Sequence, residues 1–305
     1  DAVVPVEQTD DQRVSGHGQP PPTTIELRAQ PSHGDNVRGA GQDVAVGDTV
    51  LPAGTWLGPA ALGVLGALGV GQVEVTRRPR VALLSTGDEL VTVSEQPGPG
   101  QIRDINSITL TATLRESGAE VLALGIARDV RSQVEDRLAQ ARALAADLVL
   151  TSAGVSVGTY DVVKAAVEAH GELGFWKVNM RPGKPLAFGR VHGIPFFGLP
   201  GNPVSALVSL EVFVKPVLAR LLGRPWAPRI VHARLAEPFT SDGRETYLRV
   251  RIVEGPDGAS AQLTGAQTSN LITSMVRADA LLVVPAGAGH LPAGTVLSAW
   301  RLQAA

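Results

Sequence analysis

The chain has 305 residues, of which 44% are hydrophobic, and its formal net charge is −2. This near-neutral balance argues against nucleic acid as the main partner, which would call for a basic face. The absence of cysteine excludes disulfides, thiolate metal sites and a cysteine nucleophile, and it fits the cytoplasmic location that we predict.

The N-terminal quarter of the chain is rich in turn-forming residues. Residues 1–36 contain a short strand-like pattern from Thr24 to Leu27, which predicts the tail of a small β domain. The first residues resemble the inside of a strand, so we expect an N-terminal part to be missing. Residues 37–77 predict short strands and turns with one Gly/Ala/Leu helix. The apolar stretch at 59–70 is too short to span a bilayer, and we expect no membrane partner.

From about residue 78 to residue 224 the pattern alternates buried strands with helices. Such alternation predicts right-handed βαβ crossovers and a parallel sheet covered on both faces. We expect Asn106 to be the N-cap of the first helix, with Gly118 just past its end. The strands are expected at residues 81–84, 121–126 and 148–150. The inward faces of the first two helices are expected at Ile108, Leu110, Thr111 and Leu114, and at Val130, Val134, Leu138 and Ala141.

Acidic residues follow three successive strands of this predicted sheet. Asp88 and Glu89 come after the first strand, Asp129 after the second, and Asp161 beyond the third. Ligands of open α/β sheets bind at the carboxyl ends of the strands. These acids are therefore candidates for holding a hydrated Mg²⁺ or for orienting a ligand. Asp129 fits a helix N-cap equally well.

An anion-binding site is predicted in the middle of the chain. Small and hydroxyl residues at 151–158 follow a buried strand and would leave backbone N–H groups facing the sheet edge. Lys177, Arg181 and Lys184 then place three cations on a turn-rich path. Asn202 is predicted to cap a long helix that begins at the next residue. Because a phosphate-bearing ligand needs both N–H donors and positive charge, this combination favours such a ligand.

Residues 225–305 change in character. Short alternating stretches at 247–252 and 280–285, separated by Gly, Pro and Asp, predict a small β-barrel or sandwich. Arg244 and Arg249 belong to this region. They either reach a neighbouring site or lie on the solvated face of a strand.

Five motifs, in this order, give the chain a family resemblance. They lie at residues 85–90, 100–107, 154–158, 181–185 and 198–205. Together they resemble the molybdopterin molybdenumtransferases, the MoeA family, to which the C-terminal part of gephyrin is related. The resemblance extends over essentially the whole chain.

The resemblance implies a multidomain α/β protein. A three-layer α/β molybdopterin-binding domain would occupy residues 78–224, and a C-terminal β-barrel would occupy residues 225–305. Residues 37–77 would form a connecting domain, and residues 1–36 would be the remnant of an inserted β domain. The family also implies an elongated homodimer whose partner subunit completes the active-site cleft, and contact with other molybdenum-cofactor biosynthesis proteins.

The implied reaction inserts molybdate, as a substrate, into adenylylated molybdopterin, with release of AMP and dependence on Mg²⁺. The implied catalytic residues are the acids Glu89, Asp129 and Asp161, which would hold Mg²⁺, and the cations Lys177, Arg181 and Lys184, which would hold the oxyanion. The implied substrate-binding residues are Thr86, Gly87, Asp88, Ser152, Gly154, Val155, Ser156, Gly158, Pro200, Gly201, Asn202, Ser205, Arg249 and Ser274.

The chain departs from the family pattern at two positions. Ala153 stands where the family usually has Gly, which is tolerable only if Ala153 has a negative φ. Arg181 stands where Lys is common, which keeps the charge but changes its geometry. Ser274 ends a stretch that matches a family segment, and a purely structural loop is an alternative for it.

Two other functions stay open at this point. The α/β domain could instead catalyse the related adenylyl transfer to molybdopterin, although the flanking β domains favour metal insertion. A non-catalytic molybdopterin-binding or scaffold protein is the second alternative. The sequence does not distinguish molybdate from tungstate.

Overall fold

A computed structural model describes residues 1–10, 23–154 and 162–302, and the chain divides into two compact units, Asp1–Val73 and Glu74–Ala305. The described residues of the first unit contain one 3₁₀ turn and the helix α1, Pro59–Ala67. They contain no strand, and the strand expected from Thr24 to Leu27 is reduced to one bridge between Thr9 and Leu27. Among the described residues this segment has no neighbouring strand that could extend the bridge into a ladder.

The second unit begins with a six-stranded sheet. Its strands are β1 (Arg80–Thr86), β4 (Glu120–Ala127), β5 (Leu148–Ser152), β6 (Gly171–Lys177), β8 (Pro185–Val191) and β9 (Ile194–Leu199); β2 (Leu90–Val91) and β3 (Ile102–Arg103) form a separate pair, and β7 is Met180–Arg181. The strand order is β4-β1-β5-β9-β8-β6. The first four strands in this order are parallel as predicted, but β8 runs antiparallel to both of its neighbours, β9 and β6. The reason is the tight turn between β8 and β9, where His192 and Gly193 both have positive φ, as a two-residue hairpin requires.

Helices cover both faces of this sheet, which confirms the predicted three layers. They are α2 (Asn106–Glu116), α3 (Arg131–Ala143), α4 (Val162–His170) and a helical run from Pro203 to Leu221 made of α5 (Pro203–Ser209), a π-helical turn (Leu210–Val214) and α6 (Lys215–Leu221). Strand β1 shows why: Ala82 and Leu84 pack under α3 and α4, whereas Val81 and Leu83 pack under α2 and the Pro203 run.

Two of the predicted helix faces need correction. Leu110 and Leu114 of α2 are fully buried, but Ile108 is 49% exposed. Ile108 lies two positions before Leu110 and so points to the opposite side of the helix. Val130 is 48% exposed because it precedes α3 with an extended backbone.

The C-terminal part of this unit is a closed five-stranded β-barrel, as predicted. Its strands are β10 (Ile230–Leu235), β12 (Glu245–Val253), β13 (Ser260–Leu263), β14 (Ala280–Val284) and β16 (Val296–Arg301); β11 (Phe239–Thr240) and β15 (His290–Leu291) pair outside it, and α7 is Thr273–Val276. The strands run β13-β10-β16-β14-β12, and the pairing of β12 with β13 closes the ring. Closure removes the exposed edges that a sandwich would leave.

The barrel and the α/β part share a core and a strand. Met180, Val204, Val208, Tyr247 and Leu281 are all buried in one cluster at the junction. In addition, β7 runs parallel to β12 of the barrel. Both parts therefore form fixed walls for the cavity between them. None of the helices in the described part of the chain has the length and apolar composition that crossing a bilayer requires.

Candidate active site

A cavity of about 900 Å³ opens at the carboxyl ends of β5 and β9. Its walls come from the loop after β1, the start of α2, the loop before β8, the start of α5 and the barrel. Among the described lining side chains there are four cations and two carboxylates, which are Arg103, Arg181, Lys184 and Arg244 and Glu89 and Asp104. The formal excess of two positive charges suits an anionic ligand.

The end of β5 forms the floor of this cavity. Ser152, Ala153 and Gly154 all line it, and Ala153 and Gly154 have φ angles of +72° and +69°. The expectation that Ala153 needs a negative φ is therefore wrong. Its backbone lies in the left-handed region, where a residue with a Cβ is conformationally strained. Only glycine fits at Gly154, because a Cβ there would overlap Val163 and approach Thr86 Oγ1 to 2.8 Å.

Asn106 lines the cavity but does not cap its helix. It is the first residue of α2, and the N–H of Ser107 in that turn donates to Asp104 Oδ1 instead. Asn106 Nδ2 donates to Ser152 Oγ and to the carbonyl oxygen of Gly201, both over 2.7 Å. Its Oδ1 is buried and has no hydrogen-bond partner among the residues that the structure describes. The residue thus ties α2 to two strand ends and leaves one acceptor available at the cavity.

The start of α5 is covered by a barrel loop. Pro200, Gly201, Asn202 and Ser205 line the cavity as a group at the end of β9. Asn202 occupies the N-cap position, but its side chain does not bond the helix; Nδ2 donates to Ser269 Oγ over 3.0 Å. The N–H of Val204 donates to the carbonyl oxygen of Ser269 over 3.1 Å. Helix and barrel are joined here, and one of the expected N–H donors is already used.

Three cations lie on the barrel side of the cavity: Arg181, Lys184 and Arg244. Lys177, the third cation of the predicted path, is exposed at the end of β6 and does not line the cavity. Asp242 accepts hydrogen bonds from both arginines. The pKa of Asp242 is lowered to about 2, first by its hydrogen bond with Arg244, so its carboxylate is charged at neutral pH.

Arg249 and Ser274 lie behind the cavity wall. Both are buried, at 1% and 3% exposure, and neither lines the cavity. Arg249 Nε donates to Ser274 Oγ over 3.2 Å, and Nη2 donates to the carbonyl oxygens of Ala266 and Thr268. Burial lowers the pKa of Arg249 to about 10, with a smaller effect of Arg181. The pair supports the loop at 267–270, which does line the cavity.

Of the predicted acids in the described ranges, only one lines the cavity. Glu89 lines the cavity, whereas Asp88 turns away and accepts from the N–H of Asp129 over 3.1 Å. Asp129 lies at the end of β4, outside the lining, and Val130 rather than Asp129 is the residue before α3. Thr86 and Gly87 lie beneath, and both are buried. No group of three or more His, Asp or Glu side chains within the described ranges converges as a metal site.

Four predicted residues fall outside the described ranges: Val155, Ser156, Gly158 and Asp161. Conversely, sequence reasoning missed Asp104, Asn106, Arg244 and Ser269 as lining residues. A signal existed for three of them, because Asp104 and Asn106 belong to the motif at 100–107 and Ser269 to the stretch ending at Ser274. For Arg244 the sequence pattern left two possibilities open, namely a side chain that reaches a neighbouring site and one that lies on the solvated face of a strand.

The fold and the cavity define an α/β protein with a positively charged cavity at the carboxyl edge of its sheet and a β-barrel as the second wall. Comparison with family models identifies its parts. Residues 82–220 match "Probable molybdopterin binding domain", residues 232–302 match "MoeA C-terminal region (domain IV)", and residues 1–69 match "MoeA N-terminal region (domain I and II)".

Curated relatives agree with these models. The chain is 40% identical over 313 residues to molybdopterin molybdenumtransferase 2 of Mycobacterium tuberculosis, which covers 99% of this chain and 73% of that protein. It is 37% identical over 279 residues to molybdopterin molybdenumtransferase of Haemophilus influenzae, covering 90% and 69%. The chain belongs to the molybdopterin molybdenumtransferase (MoeA) family.

Solved structures give the same result for the fold. The molybdopterin biosynthesis MoeA protein from Pyrococcus horikoshii superposes with a TM-score of 0.79 at 31% identity, over 100% of this chain and 72% of that one. A molybdenum cofactor biosynthesis protein from Pyrococcus furiosus superposes with a TM-score of 0.67 at 28% identity, over 86% and 82%.

Proposed function

We propose that this protein inserts molybdenum into molybdopterin during molybdenum cofactor biosynthesis, with adenylylated molybdopterin and molybdate as substrates and AMP as a product. The observation that carries the proposal is the cavity of about 900 Å³ with its excess of cations, in a chain with the MoeA domain order. Its volume lies in the range of small-molecule sites. A phosphate-bearing ligand and an oxyanion both require the positive charge that it provides.

The lining residues divide into two groups by their chemistry. Ser152, Gly154 and the residues at 200–205, with Asn106 beneath them, are polar or small and lie where a phosphate-bearing substrate would sit. Arg181 and Lys184 offer N–H donors to molybdate, and they also stabilise negative charge that develops on the departing AMP. Positioning and electrostatics therefore account for the chemistry, and no protein nucleophile is required.

We propose that Mg²⁺ acts with these residues. Mg²⁺ usually keeps several waters and is held by one or two carboxylates plus substrate phosphates, so a three-acid cluster is not required. Glu89 fits this role because it lines the cavity, and we propose Asp161 and Asp129 as further ligands or as ligands through water. When bound, Mg²⁺ would neutralise charge on the phosphates beside the leaving AMP.

We also propose a cytoplasmic homodimer that exchanges substrate and product with other enzymes of the pathway. Support for self-association comes from α1, which is apolar and yet has no buried residue. Leu62 and Leu68 are 56% and 49% exposed at this helix. Exposed apolar surface of this kind marks interaction sites. Sedimentation of Leu62→Asp beside the unsubstituted chain tests the proposal, since a dimer through α1 should dissociate.

The function is tested by AMP release from adenylylated molybdopterin with Mg²⁺, with and without molybdate. Glu89→Gln, Asp161→Asn and Lys184→Ala should each reduce molybdate-dependent AMP release, whereas Glu254→Gln, on the outside of the barrel, should not. Transfer of AMP from ATP to molybdopterin would instead show the related adenylylation reaction. Tight substrate binding without turnover of any kind would contradict the proposal and indicate a binding protein.

A further inference from the structure

Asp242 connects two arginines at the barrel side of the cavity. It lies between β11 and β12, and its Oδ2 accepts from Arg181 Nη1 over 3.3 Å and from Arg244 Nη2. Its Oδ1 accepts from Arg244 Nε over 3.1 Å and from the backbone N–H of Arg244 over 3.3 Å. One carboxylate therefore bridges the guanidinium groups of two residues that both line the cavity.

The backbone beneath this bridge is fixed. Strand β7 pairs in parallel with β12, so that Arg181 is opposite Thr246 and Met180 is opposite Glu245. Arg181 thus comes from the α/β part but is held in register with the barrel, next to Arg244. The pairing of β7 with β12 brings the backbones of the two arginines close together, and the ion pairs with Asp242 then link their side chains.

The two arginines use their donors differently. Arg244 commits Nε and Nη2 to Asp242, which is a two-pronged contact. Within the described part of the chain Arg181 commits Nη1 alone, at 3.3 Å, and its side chain is 42% exposed. A guanidinium has five N–H donors in a planar fork. Arg181 therefore keeps most of its donors for a ligand while one edge is tethered.

The negative charge of Asp242 allows the guanidinium groups of Arg181 and Arg244 to lie side by side. Two guanidinium groups side by side repel each other, and a carboxylate between them offsets the repulsion. Exposed ion pairs contribute little to stability, so orientation is the larger effect expected from this one. Because the pKa of Asp242 is lowered to about 2, mainly by Arg244, the bridge is unchanged across the neutral range.

We propose that Asp242 is a positioning residue for the oxyanion end of the cavity: it holds Arg181 against Arg244 so that the remaining N–H groups of Arg181 bind a tetrahedral dianion. The inference rests on the proposed function and adds to it a second arginine and the acid that orients the pair. Asp242 does not line the cavity and acts through Arg181. It follows that its loss should weaken binding of molybdate but not of molybdopterin.

The test is a double-mutant cycle on the full chain with Asp242→Ala, Arg181→Gln and both together. Molybdate affinity is measured by equilibrium dialysis, molybdopterin affinity by fluorescence, and the KM for molybdate and kcat by AMP release. We expect each single change to weaken molybdate binding about tenfold, and the double variant to bind no more weakly than Arg181→Gln, since coupled residues are not additive. Molybdopterin affinity should change little in all three variants. The kcat should change little in Asp242→Ala, whereas it should fall in the two variants that lose Arg181, because Arg181 also stabilises charge on the departing AMP.

Three further variants guard against a merely structural effect. Asp242→Glu should restore part of the molybdate affinity, and Asp242→Asn, which keeps size and one acceptor, replaces the alanine variant if that one unfolds at lower urea concentration. Glu254→Ala removes an exposed acid that pairs with Arg301 over 3.1 Å on the same barrel, and it should leave molybdate binding unchanged.

Several outcomes would overturn the inference. Unchanged molybdate affinity in Asp242→Ala, or effects of Asp242→Ala and Arg181→Gln that add fully, would show that Asp242 does not act through Arg181. Tighter binding would show that it competes with the oxyanion. Molybdate binding that depends on Asp242 without any AMP release would refute the proposed function alone, whereas absence of molybdate binding by the unsubstituted chain would refute both.

Discussion

Asn106 at the start of α2 donates a hydrogen bond from Nδ2 to Ser152 Oγ at the end of β5 over 2.7 Å. The second N–H of the same amide reaches the carbonyl oxygen of Gly201 beyond β9. One side chain thus holds the relative positions of two strand ends that form the cavity floor.

Replacing Asn106 by Ala should therefore affect both stability and substrate binding. The change leaves the buried Ser152 Oγ without this donor, and a lost partner of this kind costs about 1–3 kcal/mol of unfolding free energy. Urea unfolding measures that loss, and the KM for adenylylated molybdopterin should rise. Gln262→Ala, an exposed amide on β13, is the control. An unchanged KM in Asn106→Ala would show that the floor does not need this link.

Gly154 gives a second prediction, in which backbone strain and steric overlap can be separated. Gly154→Ala places a Cβ at φ +69° and within overlap distance of Val163. Gly193→Ala has a similar φ, +81°, but no atom within 4 Å of the new Cβ. Strain alone should cost about 1–2 kcal/mol in both variants, so the additional loss in Gly154→Ala measures the overlap. Equal losses of unfolding free energy in the two variants would contradict the close approach of Val163 to residue 154.

Ala153 should respond in the opposite direction. Its φ is +72°, where an L-residue with a Cβ is strained. Ala153→Gly should raise the unfolding free energy by up to about 1 kcal/mol, because the relieved strain exceeds the added entropy of the unfolded chain. Calorimetry of this variant beside Ala166→Gly, inside α4 where glycine should destabilise, makes the comparison. A destabilised Ala153→Gly would show that the methyl group packs usefully in the floor.

The sequence predicted the parallel core of the sheet because strands such as β1 and β5 are continuous apolar runs buried on both faces. It also predicted cavity residues that directly follow strands, such as Ser152, Gly154 and Gly201, because topology alone brings strand ends to one edge. The role of Asn106 could not be predicted. An Asn before a helix can cap it or bond elsewhere, and its partner Ser152 lies 46 residues away.

The arginines of β12 show the same limit. Period-2 alternation places Arg249 and Arg251 on the same face of an ideal strand, and sequence alone favours solvent for both. In the barrel Arg251 is exposed, whereas Arg249 is fully buried behind the loop at 267–270. Only the loop, which supplies carbonyl acceptors from Ala266 and Thr268, makes that burial possible.

Arg249 and Arg251 therefore form a matched pair of substitutions. Arg249→Met keeps bulk but leaves Ser274 Oγ and two carbonyl oxygens without this donor, and loss of several buried hydrogen bonds should cost about 3 kcal/mol or more. Arg251→Met, on the exposed side, should cost less than about 0.5 kcal/mol. Hydrogen exchange should become faster at 267–270 in Arg249→Met only. Similar exchange in both variants would mean that the loop does not depend on Arg249.

The last prediction concerns Glu211 and Lys215, a buried ion pair in the π-helical turn and at the start of α6. Glu211 Oε1 lies 2.6 Å from Lys215 Nζ, and the two side chains are 16% and 9% exposed. Burial raises the pKa of Glu211 even though Lys215 opposes the shift. A carboxyl whose folded pKa is raised binds its proton more tightly in the folded state. The contribution of Glu211 to the free energy of unfolding is therefore greatest below about pH 4.5 and is lost as the pH rises through the raised pKa of the folded state.

Breaking the pair and replacing it should have opposite effects at neutral pH. Glu211→Gln leaves the ammonium of Lys215 buried without its partner and should lower the unfolding free energy by about 3 kcal/mol. The double variant Glu211→Leu/Lys215→Met removes both charges and should be as stable as the unsubstituted chain, or more stable by about 1–4 kcal/mol. Urea unfolding between pH 4 and pH 7 should also show a gain for the double variant that grows with pH. The contrary result would be unfolding free energies of the unsubstituted chain and of the double variant that change in parallel between pH 4 and pH 7. The buried carboxylate would then carry no desolvation cost, and the raised pKa of Glu211 would not be a property of the folded protein.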